Sequence, residues 1–332
     1  MIFQAPILAL LLVSALAALV SLWSAAFGVQ VLRHWDVASG AQSQIRLERA
    51  TELVSTLFGF VLIAEIAALL LFVYNADRMA ELFVGAMCAV GTLNVNAWGF
   101  PALYLKVAVF FAAALWLILD RADRLGRDYP LARVKYAALL PIAGLLVAAG
   151  AVELAYFLGL ETDVITSCCS KLFTPVNEGL AAEMTGLAPG KALWMLAGAG
   201  GIVAVTGAIS LATGRGQGWF ALAGGVLFAV ALAAIVSVIS LYVYDHPNHH
   251  CPFCLLQREH GYYGYLLYLP LFAGTAFALG AGVLRPFYRV GSLAGGLPAL
   301  TRRLVAAALV AYALFGLAVV WAIAASQLIL FG

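Results

Sequence analysis

Long apolar runs separated by short polar segments dominate the sequence. Eight of these runs, each about 20–26 residues long, are sufficient to cross about 30 Å of hydrocarbon as α-helices. The helices are predicted near 6–30, 50–74, 100–119, 135–160, 190–213, 218–243, 261–284 and 303–330. The pattern therefore predicts an all-α, polytopic membrane bundle with about eight transmembrane helices.

The composition strengthens this prediction. The 332 residues are 64% hydrophobic and only 10% charged, whereas a soluble domain is nearer half apolar and a quarter charged. We expect residues 1–332 to form a single integral membrane domain whose partner is membrane lipid. No basic surface suited to nucleic acid is predicted. The first apolar run has no basic residue ahead of it, so we expect a retained helix rather than a cleaved signal peptide.

The basic residues are distributed unevenly among the predicted loops. Thirteen of the eighteen arginines and lysines fall in the alternate segments 31–49, 120–135, 214–217 and 285–303. The positive-inside bias places these segments in the cytoplasm, and both termini outside. The cysteines then all lie outside: Cys88, Cys168, Cys169, Cys251 and Cys254. Disulfides persist in the bacterial periplasm, so the sequence predicts a multi-pass protein of the bacterial inner membrane with periplasmic cysteines.

One polar segment, 246–260, contains two cysteines and four of the five histidines. Its Cys251-Pro-Phe-Cys254 spacing is that of thiol–disulfide centres, where one thiol attacks and the second resolves. If the next helix begins at this motif, Cys251, Cys254 and Arg258 share one helix face. A helix N-terminus and a nearby arginine both stabilise a thiolate. The spacing alone also allows an inert disulfide or half of a metal site.

Residues 251–258, CPFCLLQR, resemble the C-P-x-C-x-x-Q-R signature of DsbB-type (DsbB/VKOR-like) membrane thiol–disulfide oxidoreductases. The resemblance implies that electrons pass from a periplasmic thioredoxin-fold protein to a membrane quinone, either ubiquinone or menaquinone. It implies that Cys251 and Cys254 are the quinone-proximal pair and that Arg258 contacts the quinone.

Three neighbours of Arg258 complete the predicted cofactor site. Gln257 belongs to the same signature. Tyr262 is part of a tyrosine cluster that either anchors the chain at the membrane interface or forms a wall for the quinone ring. His260 is placed to exchange protons as thiols become disulfide.

The remaining cysteines leave several readings open. Cys168 and Cys169 are adjacent, and Cα atoms about 3.8 Å apart are closer than the roughly 4.4–6.8 Å of a relaxed disulfide. Three alternatives are open: the two cysteines form a strained, easily reduced disulfide with each other, each forms a disulfide with another cysteine, or both remain separate thiols. In the resembled family a second periplasmic cysteine pair, widely spaced rather than adjacent, exchanges with the soluble partner. By this resemblance Cys168 and Cys169 are predicted to be catalytic. Cys88 is either a small buried hydrophobe or a partner of this pair.

The order of helices suggests an internal arrangement. Helices 4–7, residues 135–284, carry a cysteine pair on each outer loop and are the candidate redox core, a permuted version of the DsbB-like four-helix unit. Residues 1–134 supply three further helices and the Cys88 loop, and residues 285–332 a cytoplasmic loop and helix 8. Glu65 and Glu153 fall within helices, where an ionisable group is costly and is either functional or hydrogen-bonded while protonated.

Two other functions compete with the quinone-linked oxidoreductase. Cysteine and histidine together suit Cu(I) or Zn(II), and a metal-binding or metal-transporting protein would use His249, His250, Cys251 and Cys254. The other alternative is a non-catalytic subunit of a larger respiratory membrane complex, with disulfides that brace its loops.

Overall fold

The computed structural model describes residues 3–36, 41–126, 128–161, 164–166, 187–328 and 330. Within these residues the chain is helical and contains no strand. Its α-helices are α1 (Ala5–His34), α2 (Gln42–Arg78), α3 (Ala89–Leu93), α4 (Gly99–Asp123), α5 (Ala132–Leu158), α6 (Pro189–Thr213), α7 (Gln217–Tyr244), α8 (Tyr263–Leu284) and α9 (Leu297–Ala325). Every helix except α3 is long and apolar enough to cross a membrane, which confirms the eight-helix, multi-pass prediction.

Local sequence explains where several helices begin and end. Pro189 opens α6, where its missing N–H costs nothing. Gly214, with φ +66°, ends that helix, and its N–H donates to the Ser210 carbonyl at 3.0 Å. Helix α2 begins eight residues before its predicted start because the charged segment that precedes the apolar run contains no glycine or proline to interrupt it.

The helices sort into two compact units. One contains the described residues of 1–84, 92–166 and 286–297, and the other those of 85–91, 167–285 and 298–332. Helix α5 belongs to the first unit, whereas the hypothesis of a redox core in 135–284 groups it with α6, α7 and α8. The permuted four-helix core stays a hypothesis.

The first unit is built from α1, α2, α4 and α5. Helix α1 packs on α2 and α5, and α4 packs on the same two helices. Large aromatic side chains fill its interior: Phe58 and Trp116 meet edge to face with ring centroids 4.9 Å apart. The Tyr136 hydroxyl donates to the Thr51 carbonyl at 3.0 Å.

The second unit is built from α6 to α9. Helix α7 packs on both α6 and α8, and glycines allow the helices to approach closely. A Cβ atom at Gly282 would lie 2.4 Å from that of Ala221, and one at Gly224 would lie 2.8 Å from that of Ala278. Helix α7 also contains a π-helical turn at Ile235–Ile239, an insertion often found near functional sites.

Candidate functional site

Three cysteine sulfurs of the second unit lie together. The Sγ atoms of Cys88, Cys251 and Cys254 are all within 4.8 Å of one another, and those of Cys88 and Cys251 are 3.5 Å apart. Cys88 and Cys251 are 0% exposed and Cys254 is 4% exposed. The Cys88–Cys251 separation is well beyond the roughly 2.05 Å of a disulfide, and Cys251 and Cys254 are free thiols. The cluster therefore holds thiols close enough to exchange a proton and to form a bond after a small movement.

The helix that follows the cysteine motif begins after it, in agreement with the predicted span 261–284, so the alternative of a helix that starts at the motif does not hold. Cys254–Leu256 form a single 3₁₀ turn, Gln257 is extended, and Arg258–His260 form another 3₁₀ turn. Gly261 and Tyr262 then both have positive φ, at +61° and +57°, so helix α8 begins only at Tyr263. A continuous α-helix cannot pass through an extended residue followed by two left-handed ones. Arg258 therefore does not share a helix face with the two cysteines, and it is exposed while they are buried.

Hydrogen bonds to the backbone hold this loop in place. The Tyr244 hydroxyl, at the end of α7, donates to the Cys251 carbonyl at 2.5 Å. The Tyr268 hydroxyl, in the second turn of α8, donates to the Pro252 carbonyl at 2.9 Å. Two transmembrane helices thus fix the first two residues of the cysteine motif.

A third hydrogen bond fixes the Cys88 segment against the same loop. The Gln257 side-chain amide donates to the Met87 carbonyl at 2.8 Å, immediately before Cys88. Gln257 thereby positions the third cysteine, and its contact with a cofactor stays a prediction. Cys88 directly precedes the short helix α3, and its carbonyl accepts from the Gly91 N–H at 3.0 Å.

The thiols of Cys251 and Cys254 differ in proton affinity. Hydrogen bonds from Cys254 and then from Cys88 hold the pKa of Cys251 well below its usual range, although burial opposes this effect. Cys254 keeps its proton, because its hydrogen bonds with Cys251 and Cys88 and its burial raise its pKa. Of the two, Cys251 is therefore favoured as the thiolate, the reactive form of the group.

Two of the predicted histidines lie beside the loop as neutral rings. The centroid of the Tyr244 ring lies 4.1 Å from that of His249 and 4.4 Å from that of His260. Burial lowers the pKa of both histidines. The Nε2 atom of His249 is buried and has no hydrogen-bond partner among the described residues. Neutral imidazoles of this kind are suited to proton transfer near a thiol.

The alternative metal site is only partly assembled. Within the described ranges, the ligand atoms that lie within 4.8 Å of one another belong to the three cysteines, and His249 and His250 are not part of that group. A ring nitrogen of His250 instead lies 3.0 Å from the Val236 carbonyl, at the π-helical turn of α7. The site of two histidines and two cysteines stays a prediction.

The other predicted residues have different surroundings. Arg258 is exposed and Tyr262 is 43% exposed, so both present polar and aromatic groups at the surface of the unit. Cys168 and Cys169 lie outside the described residues. No protein-family model, curated protein or solved structure matches the chain.

Sequence reasoning missed the position of Cys88. The one available signal was its predicted side of the membrane, which it shares with Cys251 and Cys254. The contact joins residues 163 positions apart, and neither helical periodicity nor motif spacing reports on such a distance.

Proposed function

We propose that the chain is a bacterial inner-membrane thiol–disulfide oxidoreductase that carries electrons between a periplasmic thioredoxin-fold protein and a membrane quinone. The supporting observation is the buried group of three sulfurs, in which Cys251 is favoured as thiolate while Cys254 keeps its proton. Such a division between a nucleophile and a resolving thiol is what disulfide exchange requires. Turnover by this route makes the chain an enzyme.

The residues next to the cysteine loop fit a quinone. The exposed Arg258 offers guanidinium donors for a carbonyl oxygen, and the half-exposed Tyr262 offers an aromatic face. His260, neutral and close to Tyr244, is able to accept a proton from the dithiol. A bound quinone takes up two electrons from the Cys251 thiolate and the Cys254 thiol, together with the Cys254 proton and one proton from water, and the pair becomes the Cys251–Cys254 disulfide.

The second half-reaction restores the dithiol. Because Cys251 and Cys254 are buried, we assign the contact with the soluble partner to Cys168 and Cys169. The thiols of the reduced partner convert a Cys168–Cys169 disulfide to the dithiol by exchange, and the partner leaves oxidised. A thiolate of the reduced Cys168–Cys169 pair then attacks one sulfur of the Cys251–Cys254 disulfide and releases the other as a thiolate, which takes up a proton. The second thiol of that pair breaks the mixed disulfide and releases the remaining cysteine, which restores the Cys168–Cys169 disulfide.

Quinone reduction tests this proposal directly. Purified protein, a reduced thioredoxin-fold protein and a soluble quinone analogue are mixed, and loss of the quinone is followed by its absorbance. Cys251→Ser and Cys254→Ser should each abolish turnover, because a single thiol cannot form the intramolecular disulfide. Ala212→Ser serves as the control, because it introduces a serine, as the cysteine variants do, but at an exposed position of α6. Full turnover by Cys251→Ser would exclude the mechanism.

The same sulfurs favour a second candidate function, the binding of Cu(I) or Zn(II). Three sulfurs on one zinc ion stand roughly 3.8 Å apart, as Zn–S bonds of about 2.3 Å require, and the separations here are similar. This function predicts one metal ion per chain after purification, lost in Cys88→Ser, and no quinone reduction. Metal analysis and the turnover assay therefore separate the two functions.

A further inference from the structure

The first unit contains a second buried polar cluster, to which four helices contribute one side chain each. The Lys106 Nζ atom lies 2.9 Å from Glu153 Oε2 and 3.3 Å from Glu65 Oε2. The same nitrogen donates to Ser14 Oγ at 3.1 Å, and the Ser14 hydroxyl donates to Glu153 Oε2. The two carboxylates and the ammonium group are at most 2% exposed. All four residues lie in helices that are long and apolar enough to cross the membrane.

The formal charges of this cluster do not balance. With every group ionised, two carboxylates share one ammonium, and the ion pairs that the described part of the chain makes with either carboxylate both go to Lys106. The net charge of −1 would be buried inside the protein at membrane depth. An uncompensated buried ion costs several kcal/mol, so the cluster needs one further positive charge.

A second ion cluster in the same unit has balanced formal charges. Lys135 Nζ lies 3.0 Å from Asp120 and 2.8 Å from Asp123, and Arg124 lies 2.8 Å from Asp120. Two acids there meet two bases, and the formal charge is zero. An excess carboxylate therefore distinguishes the cluster around Lys106 from the cluster around Lys135.

In the cluster around Lys106, one carboxylate oxygen is available to bind a proton. Glu153 Oε2 accepts from both Ser14 and Lys106, whereas Glu153 Oε1 is buried and has no hydrogen-bond partner among the described residues. A charged oxygen without a donor is costly in an apolar interior. Because Oε2 is already occupied by two donors, Oε1 is the oxygen of Glu153 available to a proton.

We propose that Glu65 and Glu153 share one exchangeable proton, so that this cluster is a membrane-embedded proton-binding site with Lys106 as its fixed counter-ion. The bound proton brings the formal charge of the three groups to zero. Ser14 supports it by donating to Glu153 Oε2, which leaves the other oxygen to gain or lose the proton. The site is independent of the cysteine chemistry and of the function proposed for it.

Infrared spectroscopy of the purified protein at neutral pH tests the proposal. The wild-type protein should show the C=O stretch of one protonated carboxyl group per chain, sensitive to exchange into D₂O. Glu153→Gln and Glu65→Gln should each remove this band, because the remaining carboxylate then pairs with Lys106 alone. Lys106→Met should approximately double it, because both carboxyl groups lose their counter-ion. Glu81→Gln, at an exposed position after α2, should leave the band unchanged.

The outcomes are decisive in both directions. A wild-type spectrum without a protonated carboxyl band would overturn the proposal, as would a band that survives both Glu→Gln substitutions. A band that appears only when sodium is replaced by choline would also overturn it, since the missing charge would then be a metal cation. The wild-type spectrum and the two separate Glu→Gln variants keep the test valid if one variant fails to fold.

Discussion

The cluster of Cys88, Cys251 and Cys254 and the cluster of Glu65, Lys106 and Glu153 hold their buried side chains in place in different ways. The three sulfurs lie on short turns and a loop, held by hydrogen bonds from Tyr244, Tyr268 and Gln257 to backbone carbonyls. The carboxylates lie within long helices and are held by Lys106. Sulfurs 3.5 Å apart must move to form a bond of about 2.05 Å, which a loop permits. A counter-ion requires a fixed position, which four packed helices provide.

The largest effect on stability is expected for Lys106→Met. This change leaves two buried carboxyl groups without a cation, and breaking a buried ion pair in this way costs about 3–5 kcal/mol. The measurement is thermal or denaturant unfolding in detergent. Lys191→Met, at an exposed position of α6, should change the free energy of unfolding by no more than about 0.5 kcal/mol.

A triple variant sharpens this prediction. Lys106→Met combined with Glu65→Gln and Glu153→Gln removes all three charges together, so most of the lost stability should return. If Lys106→Met is as stable as the wild type, or the triple variant is no better than the single one, the ion cluster does not hold the four helices together.

The next effect concerns the ionisation of Cys251. Its lowered pKa depends first on the hydrogen bond from Cys254, so Cys254→Ala should move the thiolate titration to higher pH. The ultraviolet absorbance of the thiolate, compared with that of Cys251→Ser to isolate the signal, gives the midpoint. Cys88→Ala should produce a smaller shift in the same direction. An unchanged midpoint in Cys254→Ala would show that the hydrogen bond from Cys254 does not lower the pKa of Cys251.

The sequence predicted the helices well because a membrane span must match the thickness of the hydrocarbon. It missed the first two turns of α2 because their charged residues look like a loop when apolar run length is the criterion. Lys106 falls within the predicted helix 100–119, and the length of an apolar run does not report the burial of a charged residue inside it. In the structure it lies inside α4 and is 1% exposed.

The site was predictable only in part. Local spacing identified Cys251 and Cys254, and the cost of charge in a membrane identified Glu65 and Glu153. The residues that complete both clusters, Cys88 and Lys106, are distant in sequence from their partners, and only tertiary packing brings them together. The start of α8 agrees with the predicted span 261–284. Only the alternative of a helix beginning at the cysteine motif fails, because the backbone at Gln257 and Tyr262 interrupts the helical spacing of the motif.

A smaller effect is expected when the Cys88 segment is released from the loop. Gln257→Ala removes the hydrogen bond to the Met87 carbonyl, at a cost of about 1 kcal/mol. It should also lower the yield of the Cys88–Cys251 disulfide when the protein is treated with a mild oxidant, as measured by mass spectrometry of peptides. Asn248→Ala, at an exposed position of the same loop, should leave the yield unchanged. An undiminished yield in Gln257→Ala would mean that other contacts position Cys88.

The smallest effect is a pH dependence of stability near the sulfurs. Burial lowers the pKa of His249 in the folded protein, whereas an unfolded histidine titrates near about 6.5. The unfolded state therefore binds a proton more readily, so the contribution of His249 is fully present above that value and is lost as the pH falls through the folded pKa. The unfolding temperature should drop between about pH 7.5 and about pH 5.5, on either side of the unfolded value.

His249→Phe keeps a ring against Tyr244 but removes the titrating group, so the drop should be smaller in this variant. Part of it should remain, because the pKa of His260 is lowered by burial as well. His246→Phe, at an exposed position of the same loop, should retain the full wild-type drop. If His249→Phe loses as much stability as the wild type over this range, His249 is not the group that couples folding to pH. Its pKa in the folded protein is then not lowered as described.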